Sequence, residues 1–328
     1  MNNVEIAEAL GKVDIYEVAC KTNKNISLTD TESEIVSQLD EHFKEVGRRG
    51  VDADCEIAAF IQKAVNTELQ DAPDEILDRI MERGSIGEND DLENTADPKN
   101  TLVAYEAAKG GNVKRSYLDP AILTPTWKNR QIETEISYAD LKRDGWKTVA
   151  KITEYAIAAF KNYMFKDIFD VMDAAIASGA DNYLAVGQAT MTQAAADAIA
   201  LYCNEHAYGD SVMIGLTKYI QQISKLTGAS DTMKDEVWKN GFLGRYDAVD
   251  LAPVSSTKKL GNDTAMFADK RVFGVCGKIG TLNQRGDVTV YEVQNPNKEN
   301  VHLLFKNFNY GFAFNSTALE GVFKAVLS

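Results

Sequence analysis

A chain of 328 residues with 45% hydrophobic content is long enough to bury two or three subdomain cores and too apolar to be disordered. Its formal net charge of −14 is uneven: residues 1–100 hold 24 Asp plus Glu against 10 Lys plus Arg, while the remaining 228 hold 25 of each sign. A body of balanced charge lacks the basic patch of a sequence-specific DNA binder, and the acidic N-terminal third reads as a solvated or partner-facing segment.

The opening "MNNVEIAEALGKVDIYE" has neither the basic nor the apolar region of a signal peptide, and no apolar run reaches the length of a membrane span. Cys20, Cys55, Cys203 and Cys276 are widely spaced with no CxxC pair, which fits synthesis in a reducing compartment and argues against a zinc site. Residues 1–84 read as polar amphipathic helices, clearest in "TDTESEIVSQLDEHFKEV" and "ADCEIAAFIQKAVNTEL". Pro73 starts a further helix, "PDEILDRIMERG", which Gly84 can end. "SIGENDDLENTADPKN" is a loop by composition. From Thr101 to Lys128 the chain is punctuated by Gly and Pro without a helical period; Gly110-Gly111 can turn a hairpin, and Pro120 and Pro125 exclude a central strand.

"QIETEIS" (Gln131 to Ser137) alternates as a strand. From Gly145 to Gly179 no glycine or proline intervenes, which predicts one helix of over thirty residues with Asp144 as N-cap and Gly179 just past the end. Val149, Ile152, Ala156, Phe160, Met164, Ile168, Val171 and Ala175 form its apolar stripe, widened by Phe165, Phe169, Met172 and Ile176. Residues 181–284 alternate strand and helix: "NYLAV", then "TMTQAAADAIALYCNEH" with a capping box at Thr190 and Gln193, "SVMIG", "TKYIQQISKL", "AVDLAPV" and "RVFGVCGKI". The tail holds "DVTVYEV", a long run "VHLLFKNFNYGFAF", and "LEGVFKAVL". That run predicts a strand of about fourteen residues, where about 5–6 is usual.

Chemical motifs are scarce. The chain has no GxxxxGK[ST] loop, HExxH pair or GxSxG elbow, and the strand–turn–helix at "NYLAVGQATMTQAAADAIAL" lacks the three-glycine dinucleotide fingerprint. His42, His206 and His302 are isolated, and read as surface or core histidines. "GGNVKRS" can bind an anion through backbone N–H groups, although an exposed hairpin tip is the simpler reading. Lys114, Arg115, Tyr117, Trp127, Lys128 and Arg130 interleave basic and aromatic groups; nucleic-acid stacking, an arm onto a protein partner and a solvated loop are the readings, the partner arm being preferred.

The order of elements resembles a major capsid protein of tailed double-stranded-DNA bacteriophages, the α+β Hong Kong 97-type capsid fold. Matching segments run in the correct order through residues 101–328: "SVMIGLTKYIQQISKL", "GFLGRYDAVDLAPVSS" and "KNFNYGFAFNSTALEGVFKAVLS", with the long helix and long strand. The resemblance implies an N-terminal arm over 1–100, acidic and largely helical, and an extended E-loop over 101–130. It implies a P domain over 131–180 and 285–328, with a spine helix at about 145–178, and an α/β A domain over 181–284. It places Lys114, Arg115, Tyr117, Trp127, Lys128 and Arg130 in intersubunit contact and makes Phe160, Met164, Ile168 and Met172 the structural spine. The implied function is structural, without catalytic, cofactor or metal sites: hexamers and pentamers closing an icosahedral shell around double-stranded DNA held without sequence specificity. Implied partners are further copies, a separate scaffolding protein, a portal and decoration proteins, with no membrane; the implied location is the virion capsid, assembled in the bacterial host cytoplasm. Lys114 and Asn315 have no surrounding constellation for a covalent crosslink, and none is expected. The alternatives are an encapsulin-type compartment shell and, from another class, an α/β enzyme with a ligand pocket in 181–284.

Overall fold

A computed structural model describes residues 13–71, 75–88, 94–96, 102, 106, 121–123, 125–207, 210–225, 237, 243–257, 259–293, 299–314 and 319–328. The chain divides into a first unit of Met1–Asp74, Lys128–Phe165 and Gln284–Tyr310, and a second of Glu75–Trp127, Lys166–Asn283 and Gly311–Ser328.

The acidic segment folds into amphipathic helices. Helix α1 (Ile15–Asn23) is capped by Asp14, whose carboxylate accepts from the N–H groups of Tyr16 and Glu17. Helix α2 (Asp30–Arg49) opens on a reciprocal capping box between Thr29 and Glu32. Its buried stripe is Ile35, Leu39, Phe43 and Val46, while Glu34, Glu41 and Glu45 stay exposed. After a 3-10 turn at Gly50–Ala53, α3 (Asp54–Asp71) buries Ile57, Ile61 and Val65. Most carboxylates of the described helices thus lie outside, over a packed apolar face, while the buried Glu32 and Glu68 pair with Lys21 and Lys161.

Helix α4 (Glu75–Ile80) stops short of Gly84, and Met81–Ile86 forms strand β1. The sequence expectation of a helix through Gly84 fails for a packing reason: a Cβ at Gly84 would lie 2.5 Å from Asn283 Oδ1, so the glycine serves a close approach inside a strand. Strand β2 (Asn94–Ala96) pairs antiparallel with β3 (Ala121–Leu123). Strand β4 (Thr126–Ser137) is longer than its alternating part and leads through α5 (Tyr138–Asp144) into α6 (Trp146–Ala175).

Helix α6 has 30 residues, which is about 45 Å at 1.5 Å per residue. Its caps differ from those expected. Asp144 ends α5 and is bound by Arg143, while Gly145 turns between the helices at φ +44°. Asp40 of α2 accepts the N–H of Trp146 at 3.2 Å, and a Cβ at Gly145 would stand 2.3 Å from that same Oδ1. Gly179 lies beyond the far end, where Lys324 takes over: its Nζ donates to the carbonyls of Asp173 (2.7 Å) and Ile176 (3.3 Å). Phe160, Met164, Ile168 and Met172 are buried, with Phe165, Phe169 and Ile176. Val171 and Ala175, expected in this stripe, are exposed. The row that continues Ile168 in steps of four runs through Met172 and Ile176, and residues 171 and 175 turn away from it.

The chain continues as β5 (Tyr183–Ala185), α7 (Gln193–Ala207), β6 (Ser211–Leu216), α8 (Thr217–Ile223), β7 (Arg245–Tyr246), β8 (Val249–Val254), β9 (Arg271–Cys276), β10 (Gly280–Arg285), β11 (Thr289–Val293), β12 (Asn300–Phe314) and β13 (Val322–Val326). Thr192, in place of the expected Thr190–Gln193 box, caps α7 by accepting the Ala195 N–H at 3.2 Å. In the second unit six strands pair in the order β5-β13-β9-β6-β8-β7. β5–β13 and β6–β8 are parallel; β13–β9, β9–β6 and β8–β7 are antiparallel. All of β6 is buried, and Phe169 of α6 packs on Phe267 (5.1 Å) and Phe273 (6.0 Å).

In the first unit, Trp146 fills the space between Phe43 (6.2 Å) and Phe60 (5.8 Å), and its indole N–H donates to Thr22. Phe160 meets Phe308 at 4.6 Å and Phe305 at 6.3 Å on β12. Strand β12 keeps an apolar face over 15 residues by a change of phase. Val301, Leu303 and Phe305 are buried at odd positions, Phe308, Tyr310 and Phe312 at even ones, and Asn307 between them sits at φ +65°. One extra residue in a bulge shifts the alternation and restores the inward face. Helix α3 covers β11: Asn66 exchanges two hydrogen bonds with the backbone of Val288 (2.9 and 2.8 Å), and Gln62 accepts the Val290 N–H at 2.9 Å. Side chains thereby satisfy backbone groups at a sheet edge.

Candidate functional site

Lys114, Arg115 and Tyr117 lie outside the described residues. Trp127, Lys128 and Arg130 stand on β4 and are half-buried. In the second unit, the Trp127 indole lies flat against Gly311, where an added Cβ would stand 2.7 Å from Cε3. In the first unit, the Arg130 guanidinium lies 4.9 Å over the Tyr163 ring of α6, and its Nε donates to the Tyr310 hydroxyl at 3.5 Å. These two side chains make contacts within their own chain.

The outward row of β4 is Asn129, Gln131, Glu133 and Glu135. β12 pairs with β4 and brings His302 onto this row. His302 Nδ1 lies 3.5 Å from Glu133 Oε1, its Nε2 bonds Glu135 Oε1, and Asn300 donates to Glu135 Oε2 at 2.9 Å. The Asn300 and His302 hydrogen bonds hold the Glu135 carboxyl below its usual range. On β11, Tyr291 and Val293 are exposed, and Lys306 lies 5.8 Å over the Tyr291 ring. This is an extended polar face with aromatic and aliphatic islands. The sequence shows the alternation of Glu133 and Glu135, but only strand register brings His302 to them.

The other two histidines have ordinary surroundings. His42 is buried 3.6 Å from Glu56, and burial lowers its pKa. His206 stacks on Tyr202 at 4.1 Å. A cleft of about 250 Å³ in the second unit is lined by Arg79, Asp210, Ser211, Asp250 and Lys278 among others. Its charges largely serve the fold: Arg79 and Arg245 both pair with Asp250 at 3.1 Å, and Lys278 donates to the carbonyls of Asp78 and Met81. Among the described residues no cluster of three His, Cys, Asp or Glu side chains could hold a metal, and no helix is long and apolar enough to cross a membrane.

No protein-family model matches the chain, and no curated protein matches it in sequence. Solved structures do match. The asymmetric unit of the bacteriophage PhiM1 mature capsid aligns with a TM-score of 0.51 at 10% identity, over 76% of this chain and 85% of that one. The capsid of an empty GTA particle gives 0.52 at 12% identity, over 77% and 89%. Gordonia phage Cozz gives 0.51 at 10% identity, over 79% and 92%. The chain has a phage-capsid fold. Within this capsid fold two elements depart from ordinary globular lengths: α6 with 30 residues and β12 with 15, against means of about 11–12 and 5–6.

Proposed function

We propose that this chain is a major capsid protein of a tailed double-stranded-DNA bacteriophage, with a Hong Kong 97-type arrangement, and that it assembles as hexamers and pentamers into an icosahedral shell. The observation that carries the reading is the likeness to phage capsid structures across about four-fifths of the chain. On this reading residues 1–100 are the N-terminal arm, 101–130 the E-loop, 131–180 with 285–328 the P domain, and 181–284 the A domain. Physical economy supports it. A shell subunit tiles a surface, so it is extended and thin; a long helix laid on a long strand resists bending along its length. Interfaces of obligate assemblies often exceed about 2,000 Å², and ring contacts are heterologous, closing by rotation. The function is structural, and packaged DNA is held without base readout. A scaffolding protein and a portal are the expected partners, and the virion capsid is the expected location.

Electron microscopy of the purified protein, alone and co-expressed with the genes adjoining its own, tests the reading. Rings of five and six subunits or closed shells are expected. A uniform monomer under every condition overturns it. Shells filled with protein cargo, in place of nucleic acid, replace the virion with an encapsulin-type compartment.

A further inference from the structure

The sequence scatters its cysteines, and the fold brings two of them together. Cys203 lies on the buried face of α7, and Cys276 is the last residue of β9. Helix α7 packs over the face of β9 that carries residue 274: a Cβ at Gly274 would stand 2.5 Å from Ile199 Cγ2 and 2.8 Å from Cys203 Sγ. Side chains two positions apart on a strand share a face, so Cys276 is directed at the same helix. The two thiols are close enough to act on one another: Cys276 raises the pKa of Cys203, and Cys203 lowers that of Cys276. Ser211, opposite Cys276 in the β6–β9 register, donates its hydroxyl to the Ala207 carbonyl of α7 at 2.7 Å, which ties this end of the strand to the helix. All four cysteines are free thiols; Cys203 is buried and Cys276 retains partial access to solvent.

We propose that Cys203 and Cys276 are a modification site: a hydroperoxide converts them into an intramolecular disulfide that fastens α7 to β9. The neighbouring Cys203 thiol lowers the pKa of Cys276, and Cys203, raised by the same pairing and by burial, keeps its proton. An attacking thiol with access to solvent beside a shielded resolving thiol is the arrangement of redox-sensing cysteine pairs. With hydrogen peroxide as oxidant, the Cys276 thiolate attacks one oxygen. The O–O bond breaks, hydroxide leaves, and Cys276 becomes a sulfenic acid. The Cys203 sulfur then attacks the sulfenic sulfur; the S–O bond breaks, and the Cys203 proton leaves with that oxygen as water. One peroxide is reduced to two waters as two thiols become one disulfide. Cys203 lies over the strand face that carries Cys276, so side-chain rotation brings the sulfurs toward the S–S length of about 2.0 Å. The bond closes a loop through β6, α8, β7 and β8, and so restricts the unfolded chain.

The test treats the full-length protein with hydrogen peroxide, alkylates the remaining thiols, and maps peptides without reduction. A linked Cys203–Cys276 peptide is expected. In a Cys20→Ser/Cys55→Ser variant the titratable thiols are expected to fall from two to none, of the four the chain carries. Dithiothreitol returns both thiols, and the melting midpoint rises on oxidation and falls back on reduction. Recovery of Cys203 and Cys276 on separate peptides, at a peroxide dose that fully oxidises the exposed Cys55, overturns the proposal, as does a link between two chains. Should the double variant fail to fold, the wild-type peptide map decides alone.

Discussion

At the scale of the residue, buried polar groups are the sensitive points, because each is held by few partners. Lys324 is 6% exposed and binds the Asp173 carboxylate at 2.8 Å as well as the carbonyls of Asp173 and Ile176 around the end of α6. Lys324→Met keeps the side-chain length and removes the donors. Buried carbonyls without a partner cost about 1–3 kcal/mol each, so urea unfolding is expected to show a loss of about 2–4 kcal/mol. Arg271 keeps Asp173 paired at 3.1 Å, which confines the loss to the carbonyls. An unchanged urea midpoint would mean that water replaces the ammonium and the cap is dispensable. His42 provides the pH-dependent counterpart. Burial lowers its pKa against the opposing pull of Glu56, so the folded state favours the neutral ring. The unfolded chain binds the proton more readily, near the ordinary value of about 6.5. Stability from this group is therefore present above about pH 6.5 and is lost as pH falls through the lowered folded value. Melting measured from pH 8 down to pH 5 is expected to fall more steeply for the wild type than for His42→Gln; parallel curves would exclude His42 as the source.

At the scale of the element, the seam between α6 and β12 carries the first unit. Phe160 is 1% exposed between Phe305 and Phe308. Phe160→Asp puts an unpaired carboxylate into that seam, an expected loss of more than about 4 kcal/mol, whereas Phe160→Leu is expected to cost about 1–3 kcal/mol. Equal chemical denaturation of all three proteins would show that the seam is not buried. The bulge at Asn307 makes a second prediction. A β-branched residue at positive φ is strained, while glycine is at ease there. Asn307→Gly is expected to melt near the wild type and Asn307→Val to lose about 1–2 kcal/mol. Deleting residue 307 removes the extra residue and leaves Phe308, Tyr310 and Phe312 in step with Val301, Leu303 and Phe305, so the shortened protein is expected to fold and melt cooperatively, as read by circular dichroism. A deletion that abolishes folding refutes the role of the bulge.

At the scale of the whole molecule, charge is segregated: the entire excess of −14 lies in residues 1–100, while Lys114 and Arg115 stand in the basic segment that follows. On the proposed capsid reading, an acidic arm would be repelled by packaged phosphates and would gain from lying across a basic loop of a neighbouring subunit, where opposite charge sets register and speeds docking. Exposed pairs are worth only about 0–1 kcal/mol each, and the Debye length shrinks to about 3 Å at 1 M salt. Lys114→Glu/Arg115→Glu is therefore expected to melt like the wild type, yet assemble poorly and lose the salt dependence of assembly, as followed by light scattering. Normal shells with unaltered salt dependence would remove arm-to-loop pairing from the account. Removing residues 1–84 is a different experiment. Phe43 and Phe60 pack on Trp146, and Asn66 and Gln62 hold Val288 and Val290. That truncation uncovers the core of the first unit, beyond shortening an arm.

Local pattern alone determined where most elements lie. The absence of glycine and proline through 146–178 marks α6, alternation marks the outer part of β4, and the apolar run near the C-terminus marks β12. These are short-range effects, since a helix needs only its own backbone bonds and a strand only its period. Tertiary structure decided what local pattern leaves open. Asp40 in place of Asp144 receives the first N–H of α6, and Lys324 closes its other end. Gly84 serves the approach of Asn283 and does not end a helix. His302 meets Glu133 and Glu135, and Cys203 meets Cys276, only through strand register and helix packing. In each case the partner is far along the chain, and its position depends on the energy of the whole packing, which no short window of sequence contains.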